Sequence, residues 1–230
     1  MSQKLFVCGR SGRMGKEVEA VANEFGFTVI GGTGRATAGI DAALAELAQA
    51  GQKPDVVIDF SLPIATAEVA KACAKHGVPL VSGVTGLDDA HMTALRKAAE
   101  TIPVLYSANM SIGIQMLAKA LEALKGVDGF DLAIEDIHHR HKRDHPSGTA
   151  LLLNKELQKR TGREAGEIVS LRGGGVIGIH RVLALSESET LTFEHSALNR
   201  GVFARGACRA ARWIHGRAPG FHGLGDLFFG

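Results

Sequence analysis

The sequence predicts a two-domain protein, in which a doubly wound parallel α/β sheet is followed by a smaller α+β domain. Three observations support this. Up to about residue 109, short apolar runs alternate with helical patterns over short connections. The run at 55–60 is apolar between its two acids, as in a strand buried on both faces. Beyond residue 160, three strand-like runs follow one another, which favours a mixed or antiparallel sheet.

Each element of the first half has a local signal. KLFVC at 4–8 predicts a strand, and apolar residues at helical spacing over 18–25 predict the helix after it. Asp88 is a helix N-cap candidate, and Gly77 predicts a helix end. The other predicted strands are 27–32, 55–60, 78–83 and 102–108, and the other helices cover about 38–50, 63–76 and 88–100.

In the second half the predicted helices cover 110–124, 148–160 and 202–215. The predicted strands are 130–137, 167–172, 179–185 and 189–197, the last two joined by a hairpin at 186–188, and a glycine-rich tail ends the chain. We therefore expect a dinucleotide-binding domain over 1–109, completed by 200–230. A substrate-binding and oligomerisation domain over 110–199 lies between these segments in sequence.

Bulk composition limits the classes of function. The formal net charge of the 230 residues is +2, which gives no general electrostatic case for nucleic acid or an anionic membrane. No apolar run approaches the roughly 20 residues that cross a bilayer. Three cysteines, far apart and without a CxxC pair, indicate free thiols in a reducing compartment. We expect a cytoplasmic protein.

A glycine-rich turn follows the first strand directly. Its glycines permit a tight turn and let the backbone approach a pyrophosphate at the positive end of the next helix. A plain strand-to-helix turn would use the same glycines, but the position between first strand and first helix favours a Rossmann-type nucleotide site. The candidate cofactor-binding residues here are Gly9, Arg10, Ser11, Gly12, Arg13 and Met14, before Gly15.

The residues after the second strand indicate which dinucleotide binds. NAD-binding chains place an acid there for the ribose hydroxyls, but this chain offers none before Asp41. A 2′-phosphate could instead be bound by Arg10, Arg13 and Arg35. For Arg35, a solvated position in a loop is an equally good interpretation. The pattern favours NADPH and leaves NADH open.

Small residues follow the fourth and fifth strands, where ligands bind in such sheets. They would let a nicotinamide ring lie against backbone, and each could equally be a helix-capping turn. These further cofactor candidates are Gly83, Val84 and Thr85, and Ser107, Ala108, Asn109 and Met110.

The most unusual stretch is HHRHKRDHPSGTA at 138–150, which concentrates histidines and basic residues ahead of a predicted helix. It fits a metal site, a solvated loop, or a pocket for a small anion with acid/base groups. No cysteine lies nearby and hydride chemistry needs no metal, so we predict no metal site. Ser147 is the candidate N-cap, and the backbone N–H groups of Gly148 and Thr149 would attract a carboxylate.

The chain resembles the dihydrodipicolinate reductase family. The resemblance rests on five motifs in family order: GRSGRMG at 9–15, IDFS at 58–61, GVTG at 83–86, SANMSIG at 107–113 and EDIHHRHKRDHPSGTA at 135–150. It implies a homotetrameric NAD(P)H-dependent reductase of the diaminopimelate route to lysine, acting on a cyclic imine with two carboxylates. It also implies that His138 and Lys142 are the acid/base pair. The implied substrate-binding residues are His139, Ser147, Gly148 and Thr149.

Two features depart from the family pattern. The chain is short around 33–53, where the adenosine ribose is expected to bind, and Ile179 precedes His180 where the family has an acid. Two other functions compete with the reductase. A related two-domain amino-acid dehydrogenase would lack the 135–150 signature. A nucleotide-sensing regulatory protein would have no use for His138 and Lys142 beside a helix start.

Overall fold

The computed structural model describes residues 2–34 and 39–229, so Arg35 lies outside the described residues. The strands are β1 (Gln3–Cys8), β2 (Phe27–Thr33), β3 (Val56–Asp59), β4 (Leu80–Ser82), β5 (Pro103–Tyr106), β6 (Asp131–His138), β7 (Glu167–Arg172), β8 (Gly178–Leu185), β9 (Thr190–Ala197) and β10 (Gly220–Gly223). The α-helices are α1 (Arg13–Val21), α2 (Ile40–Gln49), α3 (Thr66–His76), α4 (Asp89–Ala98), α5 (Ile112–Ala120), α6 (Gly148–Thr161), α7 (Gly201–Ile214) and α8 (Asp226–Phe229). Short 3₁₀ helices cover Ala22–Phe25, Pro63–Ala65 and Leu121–Leu124.

The chain divides into two compact units. The first unit comprises Met1–Met110 and Gly201–Gly230, and the second unit comprises Ser111–Arg200. Each has its own sheet and its own apolar core.

The first unit contains a six-stranded sheet in the order β10-β5-β4-β3-β1-β2, and every pairing is parallel. The helices α1 and α7 cover one face of it, and α2, α3 and α4 cover the other. All four residues of β3 are buried, as expected for a strand with helices on both faces. The strand order reverses beside β1, and ligands bind at such a point outside the carboxyl ends of the strands.

The glycine-rich tail forms more regular structure than its sequence predicts. Its segment Gly220–Gly223 forms β10, which pairs in parallel with β5 and becomes the sixth strand. Two glycines in four residues give little strand propensity. The strand forms because the edge of β5 offers backbone donors and acceptors that need partners.

The helix α7 packs in the first unit, where its small buried residues contact α1 and the sheet. A glycine permits the closest approach: a Cβ atom on Gly206 would overlap the carbonyl oxygen of Met110. The residue at 206 therefore determines how closely α7 packs against the segment that follows β5.

The second unit contains a four-stranded sheet in the order β7-β6-β8-β9. The pairing of β6 with β7 is parallel and the other two pairings are antiparallel, so the sheet is mixed. Along β6 and β8, buried and partly exposed residues alternate, and the buried residues pack with α5 and α6 in one core. One sheet face is thus covered by helices.

The predicted fold class is confirmed: a parallel doubly wound sheet with helices, and a mixed sheet in an α+β unit. Element ends differ where local chemistry decides them. Pro63 starts a 3₁₀ turn ahead of α3, and Ser111 caps α5, which therefore begins at Ile112. Among the described residues, no helix is both long and apolar enough to cross a membrane.

Candidate functional site

The candidate acid/base residue His138 ends β6, two residues after Asp136. This spacing puts both side chains on the helix-covered face of the second unit's sheet. Asp136 is completely buried and His138 is 6% exposed. The ring Nδ1 of His138 lies 3.1 Å from Oδ1 of Asp136. The strand thus delivers a buried carboxylate–imidazole pair.

The carboxylate of Asp136 meets four donors from three parts of the second unit. Its Oδ1 faces His138 and the guanidinium of Arg172, and its Oδ2 accepts the Ser147 N–H at 2.7 Å and the Ser170 hydroxyl at 2.9 Å. Burial alone would raise the pKa of Asp136, but the donors, led by the Ser147 N–H and Arg172, outweigh it and lower that pKa to about 2. Asp136 is therefore ionised at neutral pH.

His138 itself lies in a balanced field. Burial and the positive charge of Lys142 lower its pKa, and the hydrogen bond to Asp136 partly offsets them. The pKa ends below the ordinary imidazole value, so His138 is mainly neutral near pH 7.

Ser147 is the N-cap of α6, as the sequence predicts. Its Oγ accepts the Ala150 N–H at 3.1 Å and lies 3.2 Å from Nε2 of His180. The first turn of this 14-residue helix has no acidic residue. The start of α6, with Gly148 and Thr149, therefore attracts anions, and in this structure the Gly148 N–H faces the carboxylate of Asp144 from the preceding loop.

His180 is the neighbour that sequence reasoning left without a role. It lies opposite Asp136 in the pairing of β6 with β8, and its ring meets that of His138 edge-on at 5.0 Å between centroids. Burial, followed by the positive charge that His138 can carry, lowers the pKa of His180 to about 3. A ring that stays neutral serves as a fixed hydrogen-bonding partner of Ser147.

The loop after His138 carries the second acid/base candidate. Lys142 places its Nζ 2.8 Å from Oδ2 of Asp144, and its N–H donates to the His139 carbonyl at 3.0 Å. Arg172 donates to the Asp144 carbonyl at 2.6 Å. The guanidinium that contacts Asp136 thus also holds this loop.

The glycine turn in the first unit needs its glycines for close packing. Gly9 has φ +76°, and a Cβ there would lie 2.5 Å from the Phe60 carbonyl oxygen. A Cβ on Gly15 would lie 2.6 Å from the Arg10 Cα. Gly12 precedes α1 with no side-chain cap, and the first turn of α1 has no acidic residue. This turn fits a pyrophosphate, which would be held by backbone N–H groups.

The other cofactor candidates follow β4 and β5, whose carboxyl ends lie on the same edge of the sheet as that of β1. Gly83 is packed so closely that a Cβ would lie within 3 Å of the Phe60 ring. Ser107 donates its hydroxyl to the Asn109 carbonyl at 2.7 Å. Val84 and Met110 are buried, along with Ser107 and Asn109, whereas Thr85, Ala108, Ser11 and Arg13 are exposed and Met14 is partly buried.

Family models cover nearly the whole chain. The model for the N-terminal part of dihydrodipicolinate reductase matches residues 3–110, and the model for the C-terminal part matches residues 110–228. The chain belongs to the dihydrodipicolinate reductase family. Members of this family are oxidoreductases that use NAD(P)H.

Relatives of this dihydrodipicolinate reductase family member are similar over most of its length. A 4-hydroxy-tetrahydrodipicolinate reductase from Bdellovibrio bacteriovorus is 38% identical over 233 residues, covering 99% of this chain and 96% of that protein. One from Wolinella succinogenes is 42% identical over 193 residues, covering 75% of each chain.

Solved structures share the fold at low identity. Dipicolinate-bound dihydrodipicolinate reductase from Paenisporosarcina sp. TG-14 has a TM-score of 0.80 at 22% identity, covering 99% of this chain and all of that one. An amine dehydrogenase from Mycobacterium smegmatis has a TM-score of 0.68 at 12% identity, covering 98% and 96%. At these identities the likeness concerns the fold.

Sequence reasoning missed the groups that surround His138. It named His138, Lys142, His139 and Ser147, but not Asp136, Ser170 or Arg172. Alternation along β6 was an available signal, because it places Asp136 on the buried face with Ile134 and His138. No local pattern links Asp136 to Ser170 and Arg172, which lie 34 and 36 positions beyond it in the chain.

Proposed function

We propose that His138 and Lys142 supply the proton, and that the start of α6 binds a substrate carboxylate, in the reaction of this family. The activity itself follows from family membership: the chain reduces 4-hydroxy-tetrahydrodipicolinate in diaminopimelate and lysine biosynthesis. One observation carries the assignment of residues. A buried imidazole within the field of Lys142 is tied, through Asp136, to the N-cap of an anion-attracting helix.

The substrate is a cyclic imine that carries two carboxylates. We assign one carboxylate to the N–H groups of Gly148 and Thr149, where it would displace the Asp144 carboxylate from the Gly148 N–H, and Ser147 and His139 contribute polar contacts. Ser147 already serves two neighbours, so its contribution depends on the direction of the hydrogen bond with His180. When bound, the nicotinamide supplies the hydride, and the chain's own groups supply the accompanying proton.

Single substitutions test these roles. His138→Ala and Lys142→Ala should each lower turnover by about 10²–10⁴-fold, the usual contribution of general acid/base catalysis. Thr149→Val should mainly raise the Michaelis constant for the imine. The imine is generated in place from pyruvate and aspartate semialdehyde by the upstream synthase, and nucleotide absorbance is followed.

Two exposed neighbours provide matched controls. His141→Ala and Arg143→Ala remove an imidazole and a positive charge from the same loop and should leave turnover near normal. The assignment fails if His138→Ala and Lys142→Ala keep near-normal turnover while NADPH affinity falls. The basic cluster would then serve the phosphates of the cofactor.

For the cofactor we propose that NADPH works at least as well as NADH. The proposal rests on the sequence, which has no ribose-binding acid before Asp41 and has Arg35, a residue outside the described ones. Arg10 forms an ion pair with Glu19 at 2.6 Å. Arg35→Ala should raise the Michaelis constant for NADPH more than that for NADH. Equal effects would remove the phosphate contact from the proposal.

We further propose a homotetramer assembled through the second unit's sheet, in the cytoplasm. The face opposite α5 and α6 exposes Val169 and Leu171 on the edge strand β7, and edges of this kind are usually paired or covered. Sedimentation should give a tetramer, and a monomer at micromolar concentration would contradict the proposal. The location is supported by the buried free thiols Cys8, Cys73 and Cys208.

A further inference from the structure

The carboxylate of Asp136 divides its two oxygens between the two halves of the candidate site. Oδ1 accepts a hydrogen bond from Nδ1 of His138 at 3.1 Å, on the acid/base side. Oδ2 accepts a hydrogen bond from the N–H of Ser147 at 2.7 Å, next to the helix start that would bind a carboxylate. Arg172 contacts Oδ1 and Ser170 donates to Oδ2 at 2.9 Å, so the acceptor sites of the carboxylate are filled.

The buried, ionised carboxylate of Asp136 determines which ring nitrogen of His138 carries a proton. An ionised carboxylate only accepts, so Nδ1 of His138 must carry the proton of this hydrogen bond. The other ring nitrogen, Nε2, takes no part in the hydrogen bond to Asp136. A Cβ at position 178 would lie 3.1 Å from Nε2, and Gly178 leaves that side of the ring clear. A proton exchanged by His138 therefore leaves from or arrives at Nε2.

We infer that Asp136 is a positioning residue, which fixes the tautomer of His138 with Nε2 as the proton-exchanging atom and holds the Ser147 N-cap through its second oxygen. This inference rests on the proposed role of His138. One carboxylate then aligns the proton donor with the start of α6, since neither can shift without breaking a charge-assisted hydrogen bond.

The charges around His138 make the inference testable by pH. The groups that act on its ring are Asp136 on its own strand, Lys142 in the following loop, Arg172 on β7 and His180 on β8. Asp136 raises the pKa of His138, whereas Arg172 and Lys142 lower it. Removing the charge of Asp136 or of Arg172 should therefore move the titration of His138 in opposite directions.

The experiment compares the pH profiles of kcat/KM for Asp136→Asn, Arg172→Gln and the unchanged protein. The limb that belongs to His138 is first identified as the one that His138→Ala abolishes. Asp136→Asn should lower turnover by about 10²-fold or more, because the amide can stabilise the wrong tautomer, and should shift this limb to lower pH. Arg172→Gln should shift it to higher pH. Asp131→Asn, an exposed residue on the same strand, is the matched control and should change neither quantity.

A double substitution separates positioning from a general structural role. If Asp136 acts through His138, adding Asp136→Asn to His138→Ala should lower turnover by less than about threefold beyond His138→Ala alone. An equal loss in both backgrounds overturns the inference, and so does an unshifted limb in Asp136→Asn. If Asp136→Asn does not fold, the upward shift in Arg172→Gln remains the test, and its absence overturns the inference.

Failure of the proposed function would look different. If His138→Ala keeps full turnover, the acid/base assignment is wrong whatever Asp136→Asn does. If His138→Ala is inactive while Asp136→Asn leaves turnover and pH profile unchanged, the proposed function stands and only the role of Asp136 falls.

Discussion

Replacing Ser147 by alanine should loosen the start of α6 by an amount that the structure allows us to estimate. The Oγ accepts the Ala150 N–H at 3.1 Å, and losing such a cap costs about 1 kcal/mol. The same Oγ is 3.2 Å from Nε2 of His180, whose Nδ1 has no partner among the described residues. A buried ring left without its partner costs about 1–3 kcal/mol. Together we expect about 2–4 kcal/mol.

Amide hydrogen exchange measures this loss of stability locally, at the start of α6. Since each 1.4 kcal/mol corresponds to a factor of about ten, amides at the start of α6 should exchange about 30- to 10³-fold faster in Ser147→Ala. Mass spectrometry of a peptide covering 147–153 measures the change, and a peptide from α3 in the first unit serves as an internal control.

Ser147→Gly separates the two contributions. Glycine is tolerated at an N-cap at a cost of a few tenths of a kcal/mol, but it leaves His180 equally without its partner. Exchange in Ser147→Gly should therefore fall between that of the unchanged protein and that of Ser147→Ala. If Ser147→Ala exchanges within twofold of the unchanged protein, the serine neither caps α6 nor supports His180 as argued.

Three further changes should affect stability. Gly206→Ala should destabilise the first unit by about 3 kcal/mol or more in urea unfolding, because the added Cβ would overlap the Met110 carbonyl. This clash outweighs the roughly 1 kcal/mol by which a helix favours alanine over glycine. Unchanged stability would contradict the close packing of α7. Burial raises the pKa of Asp59 from 3.8 to about 6, so the unfolding free energy should fall by about 3 kcal/mol as pH rises through this range. Asp59→Asn should remove most of that fall. The same pH dependence of the unfolding free energy in the variant and in the unchanged protein would refute the role of Asp59. Leu153→Ala in α6 should cost about 2–5 kcal/mol, whereas the half-exposed Leu151→Ala should cost about 0.5 kcal/mol or less, and similar losses would contradict the assigned helix face.

The sequence predicts elements well where the signal is local. The buried run of β3, the Asp88 cap of α4 and the Ser147 cap of α6 each depend on residues within one or two turns of chain, and all three are present. β10 depends instead on β5, more than 110 residues earlier, and its own four residues carry almost no strand signal.

The candidate site divides in the same way. The sequence by itself identified the doubly wound sheet, the glycine turn, the family and the stretch from His138 to Thr149, because these are written in contiguous residues and in hydrophobic period. Only the tertiary structure decided what surrounds His138. Asp136 is ionised in the core because the Ser147 N–H donates to it and because Arg172 and Ser170 reach it from β7. His180 meets Ser147 because β8 pairs with β6. Such partners are fixed by strand pairing over long sequence separations, and no local pattern in this single chain specifies which side chains the pairing brings together.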